Sequence, residues 1–178
     1  MKPARARYTK IERLVDSILE DFSVRRPPVP IEKILKKLKI ELKHGNLGEV
    51  SGLLLRSGAS ATIGVNATQA PVRQRFTIAH ELGHYLLHAG LLSHVDKDYR
   101  VNYRSAESSE ATNVEEIEAN FFAASILMPR QFLINENAVL ALDNDAEVER
   151  LAKRFAVSRH AMSLRLANVY RLQSPFQG

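Results

Sequence analysis

The chain has 178 residues, 45% of them hydrophobic, and a formal net charge of +5, which suits one domain, or one domain with a small appendage, able to bury a core. It contains no cysteine, so disulfides and thiolate metal sites are excluded and any zinc must be held by histidine and carboxylate. No window approaches about eighteen unbroken apolar residues, which excludes a membrane-spanning helix.

Residues 1–7 are basic, but only an amphipathic run follows them, so no signal peptide is expected and a cytoplasmic location is the default reading. Residues 8–22 read as an amphipathic helix with Ile11, Leu14, Val15, Ile18 and Leu19 on one face. Pro27-Pro28-Val29-Pro30 breaks it, and a second helix follows over residues 31–38. Three strand candidates come next, over residues 40–43, 50–56 and 61–66, punctuated by Gly45-Asn46-Leu47-Gly48 and Ser57-Gly58. This pattern suggests a small antiparallel sheet.

Pro71 then opens a long helix over residues 72–88, a position where the missing N–H costs nothing. Residues 90–113 are polar and read as a long loop, of the kind that is usually functional or disordered. A helix over residues 114–127 ends at Met128-Pro129, and a short helix follows over residues 130–135. Asp143-Asn144-Asp145 can cap a helix over residues 147–155, and Ser158 a last one over residues 159–172. The expected division is residues 1–140 as the main domain and residues 141–178 as a helical extension packed on it.

Charge is unevenly spread along this order. Residues 1–43 carry 12 Lys/Arg against 6 Asp/Glu, residues 44–146 carry 7 against 12, and residues 147–178 carry 6 against 2. Basic ends suit contact with nucleic acid. Solvated helix faces explain them more simply, and that is the reading adopted for the N-terminal segment.

His80-Glu81-Leu82-Gly83-His84, inside the helix of residues 72–88, reads H-E-x-x-H. Residues at i and i+4 share a helix face, so His80 and His84 can bind one metal ion with Glu81 beside it as general base. A catalytic zinc needs a third protein ligand. The metzincin extension would need glycine and histidine where Leu87 and Gly90 stand, so it fails. His88 lies four residues beyond His84, but three ligands on one straight helix cannot converge on one ion, and His88 is read as a structural or surface histidine. Glu115, Glu116 and Glu118 on the helix of residues 114–127 remain. Glu116 is preferred among them, because Asn120 follows four residues later on its face and can support a ligating histidine through its other ring nitrogen. Gly83 costs its helix about 1 kcal/mol relative to alanine, which suits a close approach by another backbone or by a substrate.

The run from Arg75 to His88, RFTIAHELGHYLLH, resembles the active helix of the ImmA/IrrE metallopeptidases. The run from Glu116 to Pro129, EIEANFFAASILMP, looks like their second signature, E-x-E-A-N-x-F-A-A-x-x-L-M-P. The order of elements matches as well, and the resemblance covers roughly residues 10–170. It implies an α+β fold in which the small antiparallel sheet packs on a minimal zincin helical core. It implies that the first glutamate of E-x-E-A-N, Glu116, is the third ligand. It further implies site-specific cleavage of a helix-turn-helix repressor, often encoded nearby, with derepression of mobile-element or stress genes.

The chemistry expected is metal-assisted peptide hydrolysis. The ion, Zn2+ or alternatively Mn2+, would acidify water and polarise the scissile carbonyl, and Glu81 would move the proton to the leaving amine. His94, Tyr99, Tyr103 and Arg104 are candidate oxyanion donors in the 90–113 loop. The strand of residues 50–56 is a candidate edge for an extended substrate. The last two helices have the rhythm of a helix-turn-helix, with Arg159, His160 and Arg165 as candidate phosphate contacts. Packing on the scaffold is the preferred account of them, and DNA binding is not favoured. Two rival readings are a DNA-binding or repressor-binding regulator with a vestigial or structural metal site, and an antagonist that sequesters a repressor without cutting it. Glu81 argues against the last, since a non-catalytic binder needs no general base.

Overall fold

The computed structural model describes residues 6–89, 93–96 and 110–171. Helix α1 (Tyr8–Asp21) buries Ile11, Val15, Ile18 and Leu19, the stripe its sequence period places on one face. Helix α2 (Ile31–Lys37) follows the proline segment and buries Ile31, Ile34 and Leu35. Four strands form one sheet: β1 (Ile40–Gly45), β2 (Gly52–Ser57), β3 (Ser60–Asn66) and β4 (Ser93–Asp96), in the order β1-β3-β2-β4. Helix α3 (Pro71–Leu87) packs against the sheet on one side and helix α4 (Glu110–Leu127) on the other. Helix α5 (Arg130–Asn135), a 3-10 turn (Ala138–Ala141), α6 (Asp145–Phe155) and α7 (Arg159–Arg171) complete the order. The buried core runs through all of them, from Ile11 on α1 to Leu151 on α6 and Met162 on α7.

The α+β architecture agrees with the sequence reading, but the sheet is mixed rather than antiparallel. β2 and β3 form a hairpin that closes at the Ser57–Ser60 pair, with Gly58 in the turn at φ +58°. β3 therefore lies between β1 and β2, and β1 pairs with it in parallel, Ile40 opposite Ala61. The chain from β1 to β2 must cross the end of β3. Asn66 secures that crossing: its Nδ2 donates to the carbonyls of Gly48 and Val50 at 2.9 and 3.0 Å. The turn residues at positions 45–48 thus serve a crossover and not a hairpin.

β4 falls inside the segment read as loop. It pairs antiparallel with β2, from Gly52 opposite Asp96 to Leu55 opposite Ser93. β2 is consequently flanked on both sides, and the expectation that it offers a free edge to substrate is corrected.

The C-terminal helices are held by their own caps and by burial. Asn144 accepts from the backbone N–H groups of Ala146 and Glu147, and Ser158 Oγ accepts from Ala161 N–H at 3.1 Å. Arg165, a candidate phosphate contact from sequence, is only 3% exposed. Its Nε donates to the Met128 carbonyl at 3.1 Å and its guanidinium lies over the Phe121 ring. Six residues beyond Arg159, it is turned about 120° around the helix, onto the packed face. Arg159 itself pairs with Asp145 at 2.6 Å.

Two glycines set how closely α3 is held. A Cβ on Gly83 would meet Ala119 Cα at 3.1 Å and Ala119 O at 3.2 Å, so this residue brings α3 onto α4. Gly52 does the same toward the sheet, where an added Cβ would overlap Thr77 Cγ2 and come within 3.5 Å of Glu81 Cγ. Thr77 is buried, so the overlap cannot be relieved by swinging into solvent. Gly52→Ala is accordingly expected to lower unfolding free energy by about 1–3 kcal/mol in urea titrations. Gly45→Ala, whose Cβ meets nothing within 4 Å, should stay within about 0.5 kcal/mol of the parent.

Candidate metal centre

His80, Glu81 and His84 lie on one stretch of α3 and all are 0% exposed. The helix end that carries His84 is tied to the sheet by Arg56 of β2. Its guanidinium donates to the carbonyls of His84 and Tyr85 at 3.2 and 2.7 Å, a cation at a helix C-terminus. Gly83 lets α4 approach closely enough for Glu116 to reach the same point. The result is His80 Nε2 at 3.0 Å from His84 Nε2, with Glu116 oxygens at 3.4 Å from the first and 3.2 Å from the second.

The outer nitrogens fix the tautomers. His80 Nδ1 lies 2.8 Å from Asn120 Oδ1, an acceptor, so Nδ1 carries the proton and Nε2 presents a lone pair. For His84 the same result comes through a chain. Arg7 pairs with Glu118 at 2.6 Å, and Glu118 Oε2 accepts from His88 Nε2 at 3.1 Å. His88 Nδ1 is then a lone pair and accepts from His84 Nδ1 at 3.1 Å. His84 Nε2 is left with a lone pair as well. Two buried lone pairs, 3.0 Å apart, face a shared point beside a carboxylate.

A third imidazole closes the group. His94, on β4, has Nε2 at 2.8 Å from Glu116 Oε1 and Nδ1 at 3.1 Å from Glu81 Oε2. Its ring stacks on His84 with centroids 3.9 Å apart. One ligand atom from each of His80, His84, His94 and Glu116 lies within 4.8 Å of every other. A tetrahedral ion with bonds of about 2.0–2.1 Å separates its ligand atoms by about 3.3–3.4 Å. His80, His84 and Glu116 have separations of 3.0 to 3.4 Å near that spacing, and His94 lies within 4.8 Å of all three, so the residues fit a divalent cation. With imidazole and carboxylate donors and no thiolate, the set suits Zn2+ or Mn2+.

The electrostatics of His84 and Glu116 are those of ligand-ready side chains, whereas His94 is held as an imidazolium that would have to lose a proton to ligate. Burial lowers the His84 imidazole to about 4, so it is neutral at physiological pH. Burial opposes ionisation of Glu116, but the imidazoles of His80, His84 and His94 around it outweigh burial and hold the carboxyl below the ordinary range. Burial also opposes a charge on His94; the hydrogen bonds to Glu116 and Glu81 prevail and raise it to about 10. The Arg7 hydrogen bond brings Glu118 down to about 2. Glu118 is therefore an anchored carboxylate, directed at His88 and not at the metal group.

Of the residues singled out in the sequence, His80, Glu81, His84, Glu116 and Asn120 come together as anticipated. His94 joins them from β4, against the reading of it as a loop residue. Tyr99, Tyr103 and Arg104 lie outside the described residues. His88 is not a surface residue: it is 6% exposed and part of the chain that orients His84. Glu118, considered as a metal ligand, belongs instead to that chain, together with Arg7, which the sequence did not single out. The available signal was the E-x-E spacing, which directs two carboxylates to different sides of one helix.

Residues 35–167 match the model of the IrrE N-terminal-like domain, the peptidase M78 family. The metallopeptidase ImmA of Bacillus subtilis (strain 168) is 26% identical over 132 residues, spanning 74% of this chain and 71% of that protein. A Mycobacterium tuberculosis transcriptional regulator has the same fold over 95% of this chain, with a TM-score of 0.61 and 15% identity. The chain spans only 48% of that regulator's length. The family match runs from α2 into α7 and takes in both helices that build the metal group, so this chain belongs to the IrrE N-terminal-like family of M78 peptidases.

Proposed function

We propose that the chain is a zinc-dependent regulatory endopeptidase that cleaves a helix-turn-helix repressor and thereby derepresses mobile-element or stress-response genes. The observation that carries this reading is the convergence of two buried imidazole lone pairs and the Glu116 carboxylate, 3.0 to 3.4 Å apart, next to Glu81. His80, His84 and Glu116 would hold the ion, and Asn120 would keep His80 in the required tautomer. A bound ion would supply a Lewis acid that acidifies water and polarises a carbonyl.

Glu81 acts as the general base and then as the acid. It is fully buried and follows His80 directly in α3, so it faces the reacting centre from a rigid element. It takes a proton from the attacking water and delivers it to the amine that leaves. The repressor as substrate and its neighbourhood in the genome follow from the family resemblance, and a cytoplasmic place of action is the default reading of the sequence. In this reading residues 1–140 carry the peptidase, and residues 141–178 form an extension packed on it. DNA binding by that extension is disfavoured, because Arg165 is buried on the Met128 carbonyl and Arg159 is paired with Asp145.

The functional test incubates the zinc-loaded protein with the helix-turn-helix repressor encoded beside it and follows cleavage by mass. The parent should give two defined fragments. Glu81→Gln should slow their appearance by about 10²–10⁴-fold, the contribution of a positioned general acid–base. Equal cleavage by the two proteins would refute a role for Glu81.

Zinc affinity gives a separate check on the outer partners. Asn120→Ala removes the 2.8 Å partner of His80 and is expected to weaken zinc binding by about 10–100-fold in competition with a chelating dye. Its urea midpoint without metal should change little by comparison.

A further inference from the structure

His94 gives the centre one protein ligand more than a peptidase needs. Catalytic zinc sites use three protein ligands and keep one position open, whereas sites with four are closed and structural. Here His94 Nε2 is hydrogen-bonded to Glu116 Oε1 at 2.8 Å, and once deprotonated it would offer a lone pair within 4.8 Å of the other three ligand atoms. Its other nitrogen contacts both oxygens of Glu81, at 3.1 and 3.3 Å. A ligating histidine usually donates its second N–H to a carboxylate, and Glu81 is that carboxylate. One side chain would thus take the remaining position on a bound ion while it engages Glu81.

The strand that carries His94 adds a second obstacle. β4 takes up the outer edge of β2 along Gly52–Leu55, where an extended peptide would otherwise add a strand. Val95 is 48% exposed, whereas the His94 side chain is only 16% exposed and turned inward opposite Leu54. Among the β4 residues whose side chains are described, Ser93, His94 and Val95, His94 alone turns inward.

We propose that β4 is a built-in plug: His94 is a removable fourth metal ligand, and the centre becomes catalytic only when β4 leaves the edge of β2. This rests on reading the site as a metal centre. It assigns to His94 the opposite role from an oxyanion donor, since a donor must stay during the reaction and a plug must go.

The experiment uses the full chain loaded with Co2+, whose visible spectrum reports coordination, and azide as a small exogenous ligand. His94→Ala removes the imidazole; His94→Gln keeps most of its bulk and serves if the alanine variant folds poorly. The parent should show a four-ligand spectrum that responds weakly to azide. Both variants should retain cobalt and bind azide about tenfold or more tightly than the parent, as follows if the open form is about a tenth of the parent population or less. Repressor cleavage by the variants should exceed that of the parent.

Equal azide affinity in parent and variants would overturn the plug while leaving the three-ligand peptidase centre intact. Loss of cleavage by about 10²–10³-fold in the variants, with azide affinity unchanged, would overturn it in favour of an oxyanion donor. Absence of a cobalt spectrum in all three proteins would overturn the plug and the metal centre together.

Discussion

Two imidazole lone pairs buried 3.0 Å apart repel one another unless something electrophilic lies between them. Neither histidine can relieve the repulsion by changing tautomer. Asn120 Oδ1 accepts the proton of one ring, and the Arg7–Glu118–His88 chain accepts that of the other. A proton shared between the rings would charge one imidazole of the pair, in a place where burial already holds His84 neutral. A divalent cation resolves the conflict at once, and Glu116 supplies the negative charge that makes such a cation welcome. The fold can be understood as the means of keeping this conflict in place.

That task is shared among distant parts of the chain. Arg7, beside the start of α1, anchors Glu118 from 111 residues away in sequence. Arg56 on β2 holds the end of α3. Gly52 and Gly83 remove the side chains that would keep α3 from the sheet and from α4. A glycine inside a helix weakens it by about 1 kcal/mol relative to alanine, a cost the close packing at Gly83 accounts for. The basic N-terminal segment therefore has one arginine with a structural duty, and its charge need not imply a nucleic-acid partner.

Much of this was legible in the sequence because it is local. The i, i+4 spacing of His80 and His84 needs only a helix, and Glu116 with Asn120 needs only a second helix facing the first. Most helix boundaries followed from proline and capping residues, although α4 begins at Glu110, four residues before the expected start and inside the segment read as loop, and the polar–apolar period gave the buried faces. What escaped has a common cause: its signal lies in long-range pairing. Ser93-His94-Val95-Asp96 has one apolar residue and shows no strand alternation; it is a strand because β2 offers it an edge. The parallel pairing of β1 with β3 cannot be told from a hairpin until the crossing held by Asn66 is seen. His88 was set aside because its value depends on Glu118 and Arg7, which no spacing on α3 reveals.

If His80, His84 and Glu116 share one ion, X-ray absorption at the zinc edge will register it. The zinc-loaded protein should show about one tightly held ion with a first shell of nitrogen and oxygen donors near 2.0–2.1 Å and the outer-shell scattering of at least two imidazoles. A first shell of oxygen alone, with no imidazole scattering, would contradict it.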